Sequence, residues 1–290
     1  MSSQGVQGAE AAELALTVAG YEELRALIAD KFGIDYPPRR QSMLATRVGM
    51  RVAWHGFGSF SDYCAYLRTL DSSAPEWDEL AEVITNSETY FFREPKQFEQ
   101  LAQLLRGRRG AMPSPLRVLS AGCSSGEEAY SLAMVVASVV LGTRSFEVHG
   151  VDVTPSRLAK AREGRYPLRR LNRGGAPPAP VQLDKFGRRE GDEWRFSDWL
   201  RDRVAFHQRN LVDPRGLELG SFDIVFCRNV LIYAQPDRIR KFVRTLTEAL
   251  APGGYLFLGA SEPLFGGEGT LEPVRLGDQF AYVRANQNAE

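Results

Sequence analysis

The chain has 290 residues, 43% apolar and 25% charged, the profile of a soluble globular protein long enough for one large domain or two. Its 36 lysines and arginines equal its 36 aspartates and glutamates, so the basic excess of a protein that grips nucleic acid by its phosphates is missing. Three distant cysteines (Cys64, Cys123, Cys227) and three scattered histidines give no disulfide framework, no CxxC pair and no metal-ligand cluster.

The opening MSSQGVQGAE lacks the basic and apolar regions of a signal peptide, and no apolar run approaches the roughly 20 residues of a membrane span. A cytoplasmic protein without membrane insertion is expected, with residues 1–19 disordered. From Tyr21 a helical period begins, with Leu24, Leu27, Ile28 and Phe32 three or four apart; Gly33 closes that helix and Pro37-Pro38 forces a break. RRQSMLATRVGMRVAW continues as a basic helix carrying Arg39, Arg40, Arg47 and Arg51. Short helices follow around Ser61–Leu70 and Pro75–Ile84, making residues 20–86 a small all-helical domain.

From Leu116 strands alternate with helices, which predicts a parallel sheet with crossover helices over residues 87–290. LRVLSAG, FEVHGVD, FDIVFC, YLFLGA and FAYVRA read as strands; PSRLAKA and Asp237–Leu250 read as helices, and SLAMVVASVVLG as a buried one. Between the second helix and the third strand, about Gly164 to Asp213, the chain is rich in glycine, proline and arginine. Its tail, EWRFSDWLRDRVAFHQRN, alternates enough to predict strands, so a small β subdomain at about 164–209 is read as an insertion.

Four motifs carry chemistry. SAGCSSGEEAYS follows a strand and opens a helix, with Gly122 and Gly126 allowing a sharp turn close to a ligand. It is not GxGxxG, because Ser124 stands two after Gly122, and this argues against an NAD dehydrogenase. Glu127 and Glu128 suit the ammonium and sulfonium of S-adenosylmethionine better than a pyrophosphate, or they merely favour the helix N-terminus. Asp152 ends the second strand, where a carboxylate accepts ribose hydroxyls or simply terminates a turn. ITNSETYFFREPKQF, with Tyr90, Phe91, Phe92 and Arg93, is either an aromatic wall over a cation or the dock of the helical module. FDIVFCRNVLIY ends a buried strand in Cys227-Arg228-Asn229, with Tyr233 a turn later; nothing near Cys227 supplies the base a nucleophile needs.

ETYFFRE, SAGCSSGEEAYSLAM, VDVTPSRLAKAREGRYP, FHQRNL, FDIVFCRNVLIY and LAPGGYLFLGASE, in that order, resemble the CheR family of chemotaxis receptor glutamate methyltransferases from about Tyr21 to Arg284. The resemblance implies a seven-stranded Rossmann-like class I methyltransferase fold in an α/β chain, with an inserted small β subdomain and an N-terminal all-helical domain. It implies Arg47, Ser87, Thr89, Arg93, Gly122, Glu128, Asp152, Asn210, Leu211, Arg228 and Asn229 as cofactor contacts. Arg93 and Tyr233 are implied to shape the methyl-transfer site, and Arg39, Arg40 and Arg51 to face the receptor. Ser87 stands where some members carry asparagine, and Ala260 where members often carry histidine. The implied reaction esterifies glutamate side chains on the cytoplasmic domain of methyl-accepting chemoreceptors, turning S-adenosylmethionine into S-adenosylhomocysteine. The scattered cysteines and histidines predict no metal, and a monomer is the default expectation. The readings set beside it are a non-catalytic cofactor-binding regulator and a small-molecule or nucleic-acid methyltransferase; the last lacks the DPPY/NPPY signature.

Overall fold

Apolar side chains every third or fourth residue, bracketed by capping residues, build the helices of the first part of the chain. The computed structural model describes residues 16–108, 113–140, 142, 145–174, 176–213, 215–262, 264 and 270–285, so most of the segment expected to be disordered lies outside it. The chain divides into two compact units, Met1–Thr85 and Asn86–Glu290.

In the first unit Thr17 accepts from the Gly20 N–H (3.2 Å) and starts α1 (Val18–Phe32), three residues before the apolar period shows at Tyr21. Gly33, at φ 72°, closes the helix by donating to the Ala29 carbonyl. α2 (Gln41–Trp54), α3 (Phe60–Thr69) and α4 (Pro75–Ile84) follow, and Leu24, Ile28, Leu44, Val48, Val52, Leu67 and Leu80 are fully buried. A buried carboxylate ties three of these helices: Glu76 accepts from Arg51, from Tyr63 Oη (2.5 Å) and lies 2.8 Å from His55 Nε2. Burial pushes the Glu76 carboxyl up, but the hydrogen bonds from Arg51, Tyr63 and His55 outweigh it and hold the group below its usual range. Arg51, read from sequence among receptor-facing charges, is therefore engaged inside its own unit.

The second unit runs α5 (Pro95–Gly107), β1 (Leu116–Ala121), α6 (Glu127–Val140), β2 (Phe146–Asp152), α7 (Pro155–Glu163), β3 (Arg165–Pro167), α8 (Leu168–Asn172), β4 (Gly187–Glu190), β5 (Glu193–Phe196), α9 (Asp198–Arg201) and β6 (Val204–Gln208). It ends with β7 (Phe222–Cys227), α10 (Pro236–Ala249), β8 (Leu250–Leu258), β9 (Leu271–Leu276) and β10 (Gln279–Arg284). Seven strands form one sheet in the order β6-β2-β1-β7-β8-β10-β9, the first five parallel and β10 antiparallel to both neighbours. Alternate strand residues feed opposite cores: Val118, Val148, Ile224 and Phe226 one face, Leu119, Val151, Val225 and Leu256 the other. The chain winds outward in both directions from β1 and β7, so the topological switch point lies between these two strands.

The insertion is smaller than its sequence suggests. β3, β5 and β4 form a separate antiparallel sheet ending at Phe196. Val204–Gln208, expected within the β subdomain, instead pairs in parallel with β2, Val204 opposite Val148 and Gln208 opposite Asp152. Its alternation is the same for either sheet, and its partner lies some fifty residues back, so local sequence does not assign it.

At that edge the His149 and His207 rings stack with centroids 5.2 Å apart and Nδ1 to Nε2 at 3.0 Å. Burial lowers the proton affinity of both; at His149 the nearby Glu147 opposes this without overcoming it, and at His207 the charges of His149, Arg209 and Arg162 add to it. Groups with depressed folded pKa values take up protons more readily when unfolded, so stability rises with pH below the ordinary value of 6.5 and the contribution is lost as pH falls through that window. The urea midpoint should drop on acidification from about pH 7.5 to about pH 5.5. His207→Gln should flatten the drop; a slope identical to the parent's would remove the pair as its cause.

Candidate active site

Three strand ends and one connecting segment supply the polar groups at the switch point. β1 runs into a tight turn in which Gly122 and Gly126 have φ 80° and 93°, and Ser124 itself adopts φ 49°. The Gly122 and Cys123 N–H groups donate to the Val151 carbonyl at 2.8 and 2.9 Å, bringing the turn beside the end of β2. There Asp152 accepts from Ser124 N (2.8 Å) through one oxygen and from Thr154 N (3.0 Å) through the other. Each carboxylate oxygen keeps a further lone pair for a ligand. A Cβ on Gly122 would stand 2.4 Å from Val230 Cγ2, in a backbone region that side chains rarely adopt. Gly122→Ala is therefore expected to cost about 1–3 kcal/mol and to weaken ligand binding. Parent-like melting temperature and affinity in that variant would contradict this account of the turn.

The two adjacent glutamates separate into different roles. Glu127 is 1% exposed, accepts from Ser125 Oγ (2.7 Å) and Arg170 Nη1 (3.1 Å), and burial raises its pKa against both contacts. Glu128 accepts from Ser120 Oγ (2.7 Å) and from Arg228 Nε (2.7 Å). Arg228, just past β7, also donates to Gln97 Oε1 (3.1 Å), while Gln97 donates to the Leu258 carbonyl (2.7 Å). Its guanidinium lies 5.0 Å from the Phe98 ring centre and 5.7 Å from that of Phe226. One chain of polar contacts thus links the ends of β1, β7 and β8 with α5 and α6.

Glu262 escaped the sequence reading. It lies just beyond β8, and its carboxylate accepts from the N–H groups of Asn229 (2.6 Å), Ile232 (3.1 Å) and Gly259 (2.9 Å). Burial raises its pKa although these bonds oppose the rise. Glu262 holds the backbone after β7, including Asn229 at φ 58°, and so sets where Tyr233 stands. The signal in the sequence is the last residue of the GASE stretch, an acid just past the end of an apolar strand.

The aromatic segment is anchored rather than open. Phe91 and Phe92 are 0% and 2% exposed in the core of this unit, Phe91 edge-on to Tyr166 and Phe92 edge-on to Phe98. Neither forms a wall over a ligand; only Tyr90 is half-buried, with the guanidiniums of Arg93 and Arg173 5.8 and 5.0 Å from its ring centre. Arg93 Nη1 donates to the Glu88 carbonyl (3.1 Å), Ser87 is exposed, and the Thr89 carbonyl accepts from Arg170 (2.8 Å). Tyr233 Oη accepts from Asn86 Nδ2 (2.9 Å), which joins the start of this segment to the loop after β7.

Asn210 folds its Oδ1 onto the Val212 N–H (3.1 Å) beyond the end of β6, while Leu211 is 6% exposed in the apolar cluster with Leu119 and Val151. Arg47 belongs to the first unit and donates to Tyr36 Oη (3.3 Å) and the Ile84 carbonyl (3.1 Å). Cys227 is fully buried, and burial pushes its thiol well above the usual range, which leaves it no role as a nucleophile.

The donor set fits S-adenosylmethionine. The turn offers the carboxylates of Asp152 and Glu128, a glycine without Cβ and the Ser124 hydroxyl, whose Oγ is buried without a protein partner. The cations near it, Arg228 and Arg170, are bonded to Glu128 and Glu127. Acceptors of this kind suit ribose hydroxyls and an ammonium better than the phosphates of a dinucleotide.

Residues 87–279 match the family described as CheR methyltransferase, SAM binding domain, and residues 19–85 match CheR methyltransferase, all-alpha domain. The chain is 34% identical over 263 residues to a probable biofilm formation methyltransferase, WspC, of Pseudomonas putida, spanning 89% of this chain but 60% of that protein's length. It is 32% identical over 257 residues to chemotaxis protein methyltransferase 1 of Pseudomonas aeruginosa, covering 85% of this chain and 90% of the relative. With the chemotaxis protein methyltransferase of Vibrio anguillarum the identity is 33% over 273 residues, covering 92% and 94%.

Proposed function

The chain belongs to the CheR methyltransferase family, and from that premise we propose that it methylates glutamate side chains on the cytoplasmic domain of methyl-accepting chemoreceptors. The products are glutamate methyl esters and S-adenosylhomocysteine. The observation that carries the reading is the glycine turn and Asp152 at the switch point, faced by the Glu128–Arg228 pair, in a chain with both CheR domains.

Asp152 takes the ribose hydroxyls, and Gly122 admits the ligand to the turn. Glu128 faces its ammonium, with Arg228 serving through Glu128. On the family resemblance, Arg47, Ser87, Thr89, Arg93, Asn210, Leu211 and Asn229 would complete the cofactor contacts. When bound, S-adenosylmethionine supplies a methyl group on an electrophilic sulfonium. A receptor carboxylate, with an ordinary pKa of about 4.3, arrives already ionised, so no general base is required. Its oxygen bonds to the methyl carbon as the carbon–sulfur bond breaks, and no proton moves. Arg93 or Tyr233 holds the unreactive carboxylate oxygen and leaves the other aimed at the methyl. Because the charges of the two reactants neutralise each other, excluding water favours the transition state.

We place the protein in the cytoplasm as a monomer that acts on receptor and not on nucleic acid; among the described residues no helix is long and apolar enough to cross a membrane. The test is transfer of a labelled methyl group to a chemoreceptor cytoplasmic fragment, followed by mild base. Release of volatile labelled methanol is expected from a carboxyl methyl ester, and a base-stable label would overturn the proposed chemistry.

A further inference from the structure

The inserted segment reaches back to the ETYFFRE segment and the glycine turn through its own side chains. Arg170, on α8, uses a single nitrogen, Nη1, to donate both to the Thr89 carbonyl (2.8 Å) and to Glu127 Oε1 (3.1 Å). These acceptors belong to different parts of the site. Thr89 lies in ETYFFRE, four residues before Arg93. Glu127 opens α6 and accepts from Ser125 Oγ, inside the glycine turn, while the Ser125 carbonyl accepts from Tyr166 Oη of β3 (2.6 Å).

Other contacts repeat the pattern. Arg173 pairs with Glu88 (2.5 Å), and Gly174 passes so near the segment that a Cβ there would lie 2.4 Å from the Phe91 carbonyl. Glu127, 1% exposed, has Arg170 as its bonded cation among the described contacts, and Arg170 is itself 38% exposed at the side chain. Removing it would leave a buried acceptor at the head of α6 and an unheld carbonyl in the segment that carries Arg93.

We infer that Arg170 is a positioning residue for the cofactor: by bridging Thr89 and Glu127 it sets the spacing between the ETYFFRE segment and the glycine turn. The insert then does more than decorate the sheet, because its first helix governs how well the turn is formed. This inference rests on the reading that the turn takes S-adenosylmethionine and its product.

The experiment titrates S-adenosylhomocysteine by calorimetry into the full chain and into Arg170→Gln and Arg170→Lys, with melting curves to establish the fold. Amide hydrogen exchange across residues 89–92 is followed without ligand. Both acceptors take their hydrogen bonds from one nitrogen, a geometry that a lysine ammonium with three donors can reproduce. Arg170→Gln should weaken affinity about five- to twentyfold and speed exchange in the segment, while Arg170→Lys stays within about threefold of the parent. Parent-like affinity in Arg170→Gln overturns the inference, as does an equal loss in Arg170→Lys with the fold intact. Should Arg170→Gln not fold, Arg170→Lys decides alone: parent-like affinity and protection support the bridge, and lost affinity in a folded variant rejects it. A parent that binds no S-adenosylhomocysteine would overturn the functional reading beneath, whereas failure at Arg170 alone leaves that reading standing.

Discussion

Arg93→Ala should lower turnover more than tenfold, and by up to about a thousandfold, on a receptor fragment that the parent methylates well. Arg93 is half-buried, and one of its guanidinium nitrogens donates to the Glu88 carbonyl while its other N–H groups remain for a carboxylate. A reaction that needs no general base depends on aim, and a planar fork that grips one carboxylate oxygen aims the other. Arg93→Lys keeps the charge but not the fork and should recover only part of the rate. The loss should appear in kcat as well as in kcat/KM, because the contact tightens as the carboxylate reaches the methyl. Near-normal turnover in Arg93→Ala would remove the residue from the mechanism.

Arg228→Ala should cost about 3–5 kcal/mol of stability, the expected penalty for stranding one member of a buried ion pair. The Arg228 side chain is 2% exposed and that of Glu128 12%, and no other cation is bonded to Glu128 among the described contacts. The same substitution frees Gln97 and removes the guanidinium beside the rings of Phe98 and Phe226. Replacing both partners in Arg228→Met with Glu128→Met should restore much of the stability, because the stranded charge is gone, yet leave cofactor affinity low. Urea titration of the single and double variants measures the difference. A double variant no more stable than Arg228→Ala would show that packing, not charge, dominates at this position.

The class of fold was legible because its signals are local. Apolar runs ended by glycine turns mark β1, β2 and β7, and the twelve buried residues of α6 announce a helix covered on all sides. β9 gave no such signal: it alternates weakly, carries Pro273, and exposes Glu272 and Arg275. It is held as an edge strand by β10 and not by its own apolar content. β6 was legible as a strand but not as part of the main sheet, since pairing with β2 is a long-range property. The motifs lie at the ends of β1, β2 and β7, yet they do not reveal how their charges are partnered. Glu128 and Arg228 are 100 residues apart, and nothing in either motif names the other. Glu262 and Arg170 are silent in the sequence for the same reason: Glu262 accepts from three backbone N–H groups, and Arg170 donates to a backbone carbonyl and a carboxylate, that only the folded chain brings near.

The most direct measurement supplies a trideuteromethyl-labelled cofactor with a chemoreceptor cytoplasmic fragment and maps the label by peptide mass spectrometry. One trideuteromethyl group on glutamate side-chain carboxyls, released by mild base, is the predicted result. Label on lysine, arginine or cysteine, or none on a fragment incubated with a chain shown to bind S-adenosylhomocysteine, would contradict it.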